Sequence, residues 1–212
     1  MNTQMPHELS DPAASSATLA LPEEQARRAG MYSVLAALLR AAPDAQVLDF
    51  VSQLQADAEA NKSELALALN VLSLASRHSS PASLRDEYHA LFIGLGRGEL
   101  VPYGSWYQTG FLMEKPLAVL RADLAQLGFE RSDDVREPED HIAALCEVMA
   151  MLIRDGVDLE RQTRFFNNHI GNWADTFFVD LGKARSAVFY KSVARFGTAF
   201  LSLDARYLSL LD

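Results

Sequence analysis

The sequence predicts an all-α protein, built as an irregular bundle of seven or more helices. Apolar residues recur at intervals of three and four positions through almost the whole chain, which is the spacing of a buried helix face. Prolines and small polar residues precede several of these stretches and glycines follow them, as at the ends of helices. No segment alternates apolar and polar residues convincingly enough to predict a β-strand.

Four helices are predicted before position 94. Pro22 opens the first helix and Pro43 follows its end, while Ser80 and Pro81 supply the cap and the first turn of the fourth. Each helix is expected to bury one apolar face. These faces are Met31, Val34, Leu35, Leu38 and Leu39 in the first helix, Val47, Phe50, Val51 and Leu54 in the second, Leu65, Ala68, Leu69 and Leu72 in the third, and Leu84, Tyr88, Leu91 and Phe92 in the fourth.

A glycine-rich stretch then interrupts the helical pattern. Five of the eleven glycines fall between positions 94 and 110, together with Pro102, so this stretch is not expected to form a regular helix. We expect the glycines to let the chain turn tightly over the core. Three aromatic residues follow Pro102, and we expect them to pack around a turn: Tyr103, Trp106 and Tyr107.

The helical pattern resumes in the second half of the chain. Gly128 is predicted to end one helix as a left-handed cap, and Pro138 to open the next, which ends at Gly156. The last helix should be long and lie near the centre of the core. The faces of these three helices are Leu117, Leu120, Leu124 and Leu127, then Ile142, Leu145, Met149 and Leu152, then Phe189, Val193, Phe196, Phe200, Leu203 and Tyr207.

The chain is expected to form a single helical domain over residues 21–212, after a disordered arm at 1–20. Its N-terminal half runs to about 129, an acidic linker covers 130–137, and its C-terminal half covers 138–212; the halves should meet near the glycine-rich loop. The arm lacks the basic and apolar regions of a secretory signal. With no run of 18 apolar residues either, we expect a cytoplasmic protein.

Composition excludes several classes of function. The net charge of −9 argues against a nucleic-acid partner and favours a basic one. The single cysteine, Cys146, excludes an intramolecular disulfide and cysteine-rich metal sites, and its helical context predicts a core position. The chain contains neither Glu-x-x-His nor His-Glu-x-x-His, so we expect no metal and no other cofactor.

Catalytic motifs are also missing. Gly94-x-Gly96-x-Gly98 follows a helix and lacks the Lys-Ser/Thr of a phosphate-binding loop, and Ser105 does not stand in a Gly-x-Ser-x-Gly sequence. One alternative stays open at this point: a nucleotide-binding enzyme that uses the glycine-rich loop 94–104.

Two short segments carry a resemblance to a known family. Pro102-Tyr103-x-Ser105-x-Tyr107 and, about 35 residues later, Glu137-Pro138-x-Asp140-His141 resemble segments of the TorD/DmsD/NarJ-type chaperones, which assist the assembly of molybdenum oxidoreductases. The resemblance extends from about Leu21 over most of the chain. Weaker points of similarity are Glu87-Tyr88, Leu91-Phe92, His169, Trp173, Phe177, Asp180-Leu181, Phe189-Tyr190 and Phe200.

The resemblance implies a TorD-like helical fold without catalytic activity, and thus a binding protein rather than an enzyme. A structural subunit of an oxidoreductase complex is the alternative that it leaves open. Such proteins bind the N-terminal twin-arginine signal peptide of the apo form of a molybdopterin oxidoreductase subunit, delay its export and assist cofactor insertion. They form monomers or helix-swapped dimers, and some bind guanine nucleotide weakly. The positions that the resemblance assigns to the peptide site are Tyr103, Ser105, Tyr107, Glu137, Asp140 and His141.

The chemistry of these segments suits an arginine-bearing, apolar peptide. Residues 130–140 carry a local charge of −4, and guanidinium groups pair bidentately with carboxylates. We expect Asp140 to receive an arginine and His141 to order that carboxylate or the peptide backbone, while Tyr103, Trp106 and Tyr107 line the apolar part. Replacing Asp140 or His141 by alanine should then weaken peptide binding with little change in the midpoint of thermal unfolding.

Overall fold

The computed structural model describes residues 21–54, 63–94, 97–130 and 137–210. The predicted arm at 1–20 and most of the predicted acidic linker lie outside the described residues. Ten α-helices form in the described part of the chain: α1 Glu23–Arg40, α2 Ala45–Ser52, α3 Glu64–Arg77, α4 Pro81–Tyr88, α5 Gly104–Thr109, α6 Lys115–Gln126, α7 Ile142–Arg154, α8 Leu159–His169, α9 Ala174–Lys183 and α10 Tyr190–Ser209.

Local sequence signals set most helix ends. The Ser80 side chain accepts a hydrogen bond from the Ser83 amide, with Pro81 in the first turn of α4, as predicted. Gly128 takes a left-handed φ of +82° after α6, and Gly156 a φ of +67° after α7. Outside the helices, the described residues pair only in an isolated bridge between Tyr103 and His141. The predicted all-α fold is therefore confirmed.

The core is centred on α1, α7 and α10. The most extensive helix pair is α1 with α7, and α10 packs on α9 and α3. Tyr32, Leu35 and Leu38 of α1 are fully buried, and each such side chain contributes about 1.5–3 kcal/mol of hydrophobic stabilisation. Thus the two halves of the chain meet most extensively along α1 and α7, and they also meet at the glycine-rich stretch, where the Gly104 amide donates to the Asp140 carbonyl.

Some predicted helix faces are partly wrong. Phe50 is 59% exposed, and Leu48 takes the inward position on α2 instead. On α10, Phe196 and Phe200 are buried as predicted, but Leu203 is 44% exposed. A short run of apolar residues fits more than one helical face, and tertiary packing decides which face turns inward.

A buried polar network ties α1 to α8 and α10. The Arg28 Nε lies 2.5 Å from Asp204 Oδ1, and Tyr32 donates its hydroxyl proton to Asp204 Oδ2 at 2.6 Å. Arg28 also donates to Gln162 Oε1 of α8 at 3.0 Å. The Arg28 guanidinium in addition lies 4.5 Å from the centre of the Tyr207 ring. Arg28 and Asp204 are thus each held by more than one partner.

The glycine-rich stretch is confirmed as a tight turn, but it is not free of helix. Gly94 has φ +62°, and a Cβ there would lie 2.1 Å from the Arg97 carbonyl oxygen. A Cβ at Gly98 would lie 2.5 Å from the Phe92 backbone. Contrary to the prediction, residues 104–109 form the short helix α5. The first two backbone amides of this helix donate hydrogen bonds to Asp140.

The structure also bears on the position of Cys146 and on membrane-spanning helices. Cys146 is completely buried in α7, and this burial raises the pKa of its thiol, which confirms its core position. None of the described helices is long and apolar enough to cross a membrane.

Candidate functional site

The two motif segments lie side by side in the fold. The Gly104 amide donates to the Asp140 carbonyl at 2.9 Å, and the Ile142 amide donates to the Pro102 carbonyl at 3.0 Å. These bonds flank the bridge between Tyr103 and His141. The structure thus joins two segments that are about 35 residues apart in sequence.

This pairing corrects the predicted start of α7. Pro138 does not open the helix, which begins at Ile142 with His141 as its cap residue. Residues 138–141 form a turn closed by the His141 amide on the Pro138 carbonyl at 3.2 Å. His141 then has an extended ψ of 135°, which the bridge to Tyr103 requires. The tertiary contact therefore overrides the tendency of proline to begin a helix.

Asp140 is buried and holds α5. Its Oδ2 accepts a hydrogen bond from the Ser105 amide at 2.7 Å, so that Asp140 satisfies two amides in the first turn of α5 through its carbonyl and its carboxylate. Asp140 Oδ1 and Ser105 Oγ are buried, with no hydrogen-bond partner in the structure. The predicted contact of Asp140 with an arginine stays a prediction, and it would require this carboxylate to become accessible.

His141 is buried at the start of α7 and is neutral there. Its Nδ1 accepts a hydrogen bond from the Ala143 amide at 3.1 Å, so the ring proton belongs on Nε2, which lies 3.9 Å from Glu137 Oε1. Burial lowers the pKa of His141, and the nearby Glu137 carboxylate opposes this shift. The edge-on contact with the Tyr103 ring, 5.1 Å between centroids, fixes the imidazole further.

Tyr103 connects this buried pair to the surface. Its hydroxyl donates to Glu137 Oε1 at 2.8 Å. Burial of the ring, and then this hydrogen bond, raise the pKa of the Tyr103 hydroxyl well above its usual range. The Glu137 carboxylate is exposed, and Tyr103 holds it beside the His141 ring.

The other aromatic residues of α5 face different neighbours. Tyr107 stacks on Trp173 at 5.4 Å, and its hydroxyl donates to Asp180 Oδ2 at 3.3 Å. Trp106 lies under the Arg97 guanidinium, 4.4 Å from its ring centroid. Of the seven predicted site residues, only Glu137 and His141 line the groove described next.

A surface groove of about 530 Å³ runs between α1, α6, α7 and the turn before α7. We call it the α7 groove. Its apolar wall is formed by Leu124, Phe129, Ala143, Ala144, Val148 and Met151, and its charged rim by Arg40, Arg121, Glu130, Glu137, Glu139 and Glu147. Among the described residues of the groove, four carboxylates thus face two guanidiniums beside an apolar surface.

The rim contains two ion pairs. Arg40 of α1 forms a bidentate pair with Glu147 of α7, with Nε 2.6 Å from Oε1. A second pair joins Arg121 of α6 to Glu139, with 2.9 Å from Nη2 to Oε2. Both arginines are about half exposed.

Most groove residues were not predicted from the sequence. Ala143, Glu147 and Met151 are four positions apart and share a face of α7, which the sequence analysis passed over in favour of the buried stripe. This second stripe is the signal that could have identified them. Arg40 and Arg121 carry no comparable local signal, because only the tertiary fold brings them to α7.

The described residues contain no group of three metal-binding side chains. His169, the histidine of α8, is engaged with Asp123 Oδ2 at 2.7 Å. The site is thus characterised by carboxylates, two arginines and an apolar wall rather than by a nucleophile or a set of metal ligands.

Comparison with known proteins identifies the family. A sequence model of the nitrate reductase delta subunit family matches residues 51–179, which include both motif segments. The chain belongs to this family. The predicted kinship with TorD/NarJ-type proteins is therefore confirmed.

Individual relatives agree with the family assignment. The chaperone protein TorD of Vibrio parahaemolyticus is 28% identical over 153 residues, which cover 66% of this chain and 70% of the relative. TorD of Aliivibrio fischeri is 25% identical over 204 residues, which cover 86% and 95%. These relatives are named as chaperones, in agreement with the class of protein that the resemblance implied.

A solved structure shares the fold. A protein of Archaeoglobus fulgidus, described as a redox enzyme maturation protein, superposes with a TM-score of 0.55 at 20% identity, over 82% of this chain and 93% of the other. The same helical fold therefore occurs in a protein that shares only 20% of its residues with this chain.

Proposed function

We propose that this protein is a cytoplasmic maturation chaperone of a molybdopterin oxidoreductase, and that the α7 groove binds the N-terminal twin-arginine signal peptide of the apo subunit. By binding it, the chaperone delays export until the cofactor is inserted. Membership of the nitrate reductase delta subunit family and the similarity to TorD chaperones support the class of function.

The observation that carries the peptide assignment is the composition of the α7 groove. A twin-arginine peptide offers two guanidiniums followed by an apolar run, and the groove offers carboxylates beside Leu124, Phe129 and Met151. Exposed ion pairs contribute about 1 kcal/mol or less each. Burying one large apolar side chain contributes about 1.5–3 kcal/mol. The apolar wall therefore supplies most of the affinity, and the carboxylates orient the peptide.

Asp140 and His141 act as positioning residues in this proposal. Asp140 caps α5 and His141 caps α7, so together they fix the turn that presents Glu137 and Glu139 to the groove. Tyr103 holds the Glu137 carboxylate by its hydroxyl. This accounts for the role of the two motif segments without direct contact of every motif residue with the peptide.

The experiment is a calorimetric titration with two synthetic peptides. One carries two adjacent arginines before a leucine–alanine run, and the other has both arginines replaced by glutamine. We expect the arginine peptide to bind more tightly. Equal affinities for the two peptides, or no binding of either, would overturn the assignment of the groove.

A matched pair of variants locates the binding site. Met151→Ser should weaken binding of the arginine peptide roughly fivefold, because it removes an apolar contact from the groove. Leu74→Ser on α3 is the control, since Leu74 is 55% exposed and does not line the groove. Equal effects of both substitutions would place the peptide elsewhere.

The resident-subunit alternative has its own test. A chaperone leaves once the cofactor is inserted, so the protein should co-purify with the apo form of its client and not with the active enzyme. Stoichiometric co-purification with the active enzyme would instead make it a structural subunit.

A further inference from the structure

The two arginines that line the α7 groove already bind its carboxylates. Arg40 and Glu147 form one pair, and Arg121 and Glu139 form the other. The residues come from four separate elements, namely α1, α6, α7 and the turn before α7. The part of the chain that the structure describes therefore places two of the protein's own guanidiniums beside the apolar wall of the groove.

In both pairs, the arginine can leave its carboxylate and be replaced by another cation. The side chains of Arg40 and Arg121 are 45% and 50% exposed, so water can solvate either guanidinium when it leaves its partner. The buried pair of Arg28 and Asp204 is different, because those side chains are only 8% and 1% exposed and are held by further hydrogen bonds. Separating an exposed arginine from its carboxylate therefore requires little free energy, whereas separating a buried arginine requires much more.

We propose that Arg40 and Arg121 are placeholders, which occupy the positions that two guanidiniums of the ligand take when it binds. This inference rests on the proposed function of the α7 groove. On binding, each resident arginine leaves its carboxylate and the incoming arginine replaces it. The number of guanidiniums in the groove then stays the same, and only their origin changes.

The placeholders determine specificity. They neutralise two of the four carboxylates that the described residues place at the rim, so the groove attracts single cations and polyamines less strongly than it would without them. A competing ligand must supply forked donors, which a lysine ammonium does not have. It must also bring an apolar segment, because the exchange of ion pairs contributes less of the affinity than contact with the apolar wall does.

The test measures how the resident arginines affect affinity for the arginine peptide. Arg40→Gln and Arg121→Gln should each tighten binding about three- to fivefold, and the double variant roughly tenfold, because the carboxylates no longer have to be vacated. The matched control is Arg161→Gln, which removes another exposed arginine, paired with Asp158 outside the groove. It should leave the affinity within about 1.5-fold of wild type.

A double-mutant cycle assigns the effect to the carboxylate. Combining Arg40→Gln with Glu147→Gln should abolish the gain, since the vacated carboxylate is itself removed. Thermal unfolding of each variant confirms that it is folded. The placeholder inference would be overturned if Arg40→Gln and Arg121→Gln bind the arginine peptide no more tightly than wild type. It would also be overturned if the gain in affinity persists without Glu147. In either case, the proposed function stands as long as wild type prefers the arginine peptide. Failure of wild type and all variants to prefer the arginine peptide would instead overturn the proposed function.

Discussion

The molecule uses the same arginine–carboxylate chemistry in two regions with opposite consequences. In the buried network, Arg28 and Asp204 lie between α1 and α10, and Tyr32 and Gln162 satisfy their remaining groups. In the α7 groove, Arg40 and Arg121 pair with carboxylates at the solvent-exposed rim. The two sets of ion pairs differ in their burial more than in the distance between their charged groups.

This difference shows where an ion pair becomes part of the scaffold. A charge that loses its partner in the interior stays desolvated, so the fold depends on every member of the buried network. A charge that loses its partner at the rim is solvated at once, so the pair is free to exchange with a ligand. The two ends of α1 therefore have different tasks, since Arg28 anchors the helix and Arg40 reaches the groove.

The largest effect is expected from breaking the buried network. Asp204→Ala leaves Arg28 as an unpaired buried charge and Tyr32 without its acceptor, which should lower the free energy of unfolding by about 3–5 kcal/mol. Urea unfolding measures the loss. A decrease below about 1 kcal/mol would show that the network is not the anchor that its burial indicates.

Removing the cap of α5 should have a smaller effect. Because the buried Asp140 carboxylate accepts from the Ser105 amide, Asp140→Ala leaves that amide without its acceptor and should lower the free energy of unfolding by about 1–2 kcal/mol, contrary to the nearly unchanged midpoint expected from sequence alone. Asp140→Asn is the matched control, since its amide oxygen can still accept from Ser105. If both variants unfold like wild type but lose peptide affinity, Asp140 contacts the ligand directly.

The pH dependence of stability tests the neutral state of His141. Burial lowers its pKa in the folded protein, so the unfolded chain binds more protons below about pH 6.5, and stability falls as the pH drops through that range. Between pH 7.5 and 5.5, wild type should lose about 1 kcal/mol more than His141→Asn, which keeps a cap but does not titrate. Urea unfolding at the two pH values measures this difference, and parallel losses would contradict it.

The smallest effect is expected from the rim pairs themselves. Arg40→Gln should change the free energy of unfolding by less than about 1 kcal/mol, because its pair with Glu147 is exposed. Urea unfolding of this variant beside Asp204→Ala gives the contrast directly. A loss above about 2 kcal/mol for Arg40→Gln would make the rim pair structural and would remove the distinction between the two regions.

Local chemistry explains which parts of the fold could be predicted. Ser80, Pro81 and Gly128 act within one turn of their own helix, so the sequence was sufficient to place those helix ends. Pro138 carries the same kind of signal, and it misled because the bridge between Tyr103 and His141 holds the following residues extended. A tertiary contact of this kind cannot be predicted from the residues that neighbour Pro138 in the sequence.

The α7 groove could be predicted only in part for the same reason. Glu137 and His141 stand in a recognisable motif, whereas Arg40 and Glu147 are 107 residues apart and meet only because α1 packs along α7. The burial of Asp140 also could not be predicted from the sequence. An aspartate in an acidic segment is expected at the surface, but the structure encloses this one. Function thus depends on residues that the fold assembles.

The location of the bound peptide is the most direct test of the account. Met151 lines the α7 groove, and Met31 lines a separate cavity between α1, α2, α3 and α10, so their methyl groups are natural reporters. In an NMR titration of methyl-labelled protein with the arginine peptide, the account predicts that the Met151 signal shifts saturably while the Met31 signal stays in place. A shift of Met31 with an unmoved Met151 would contradict it.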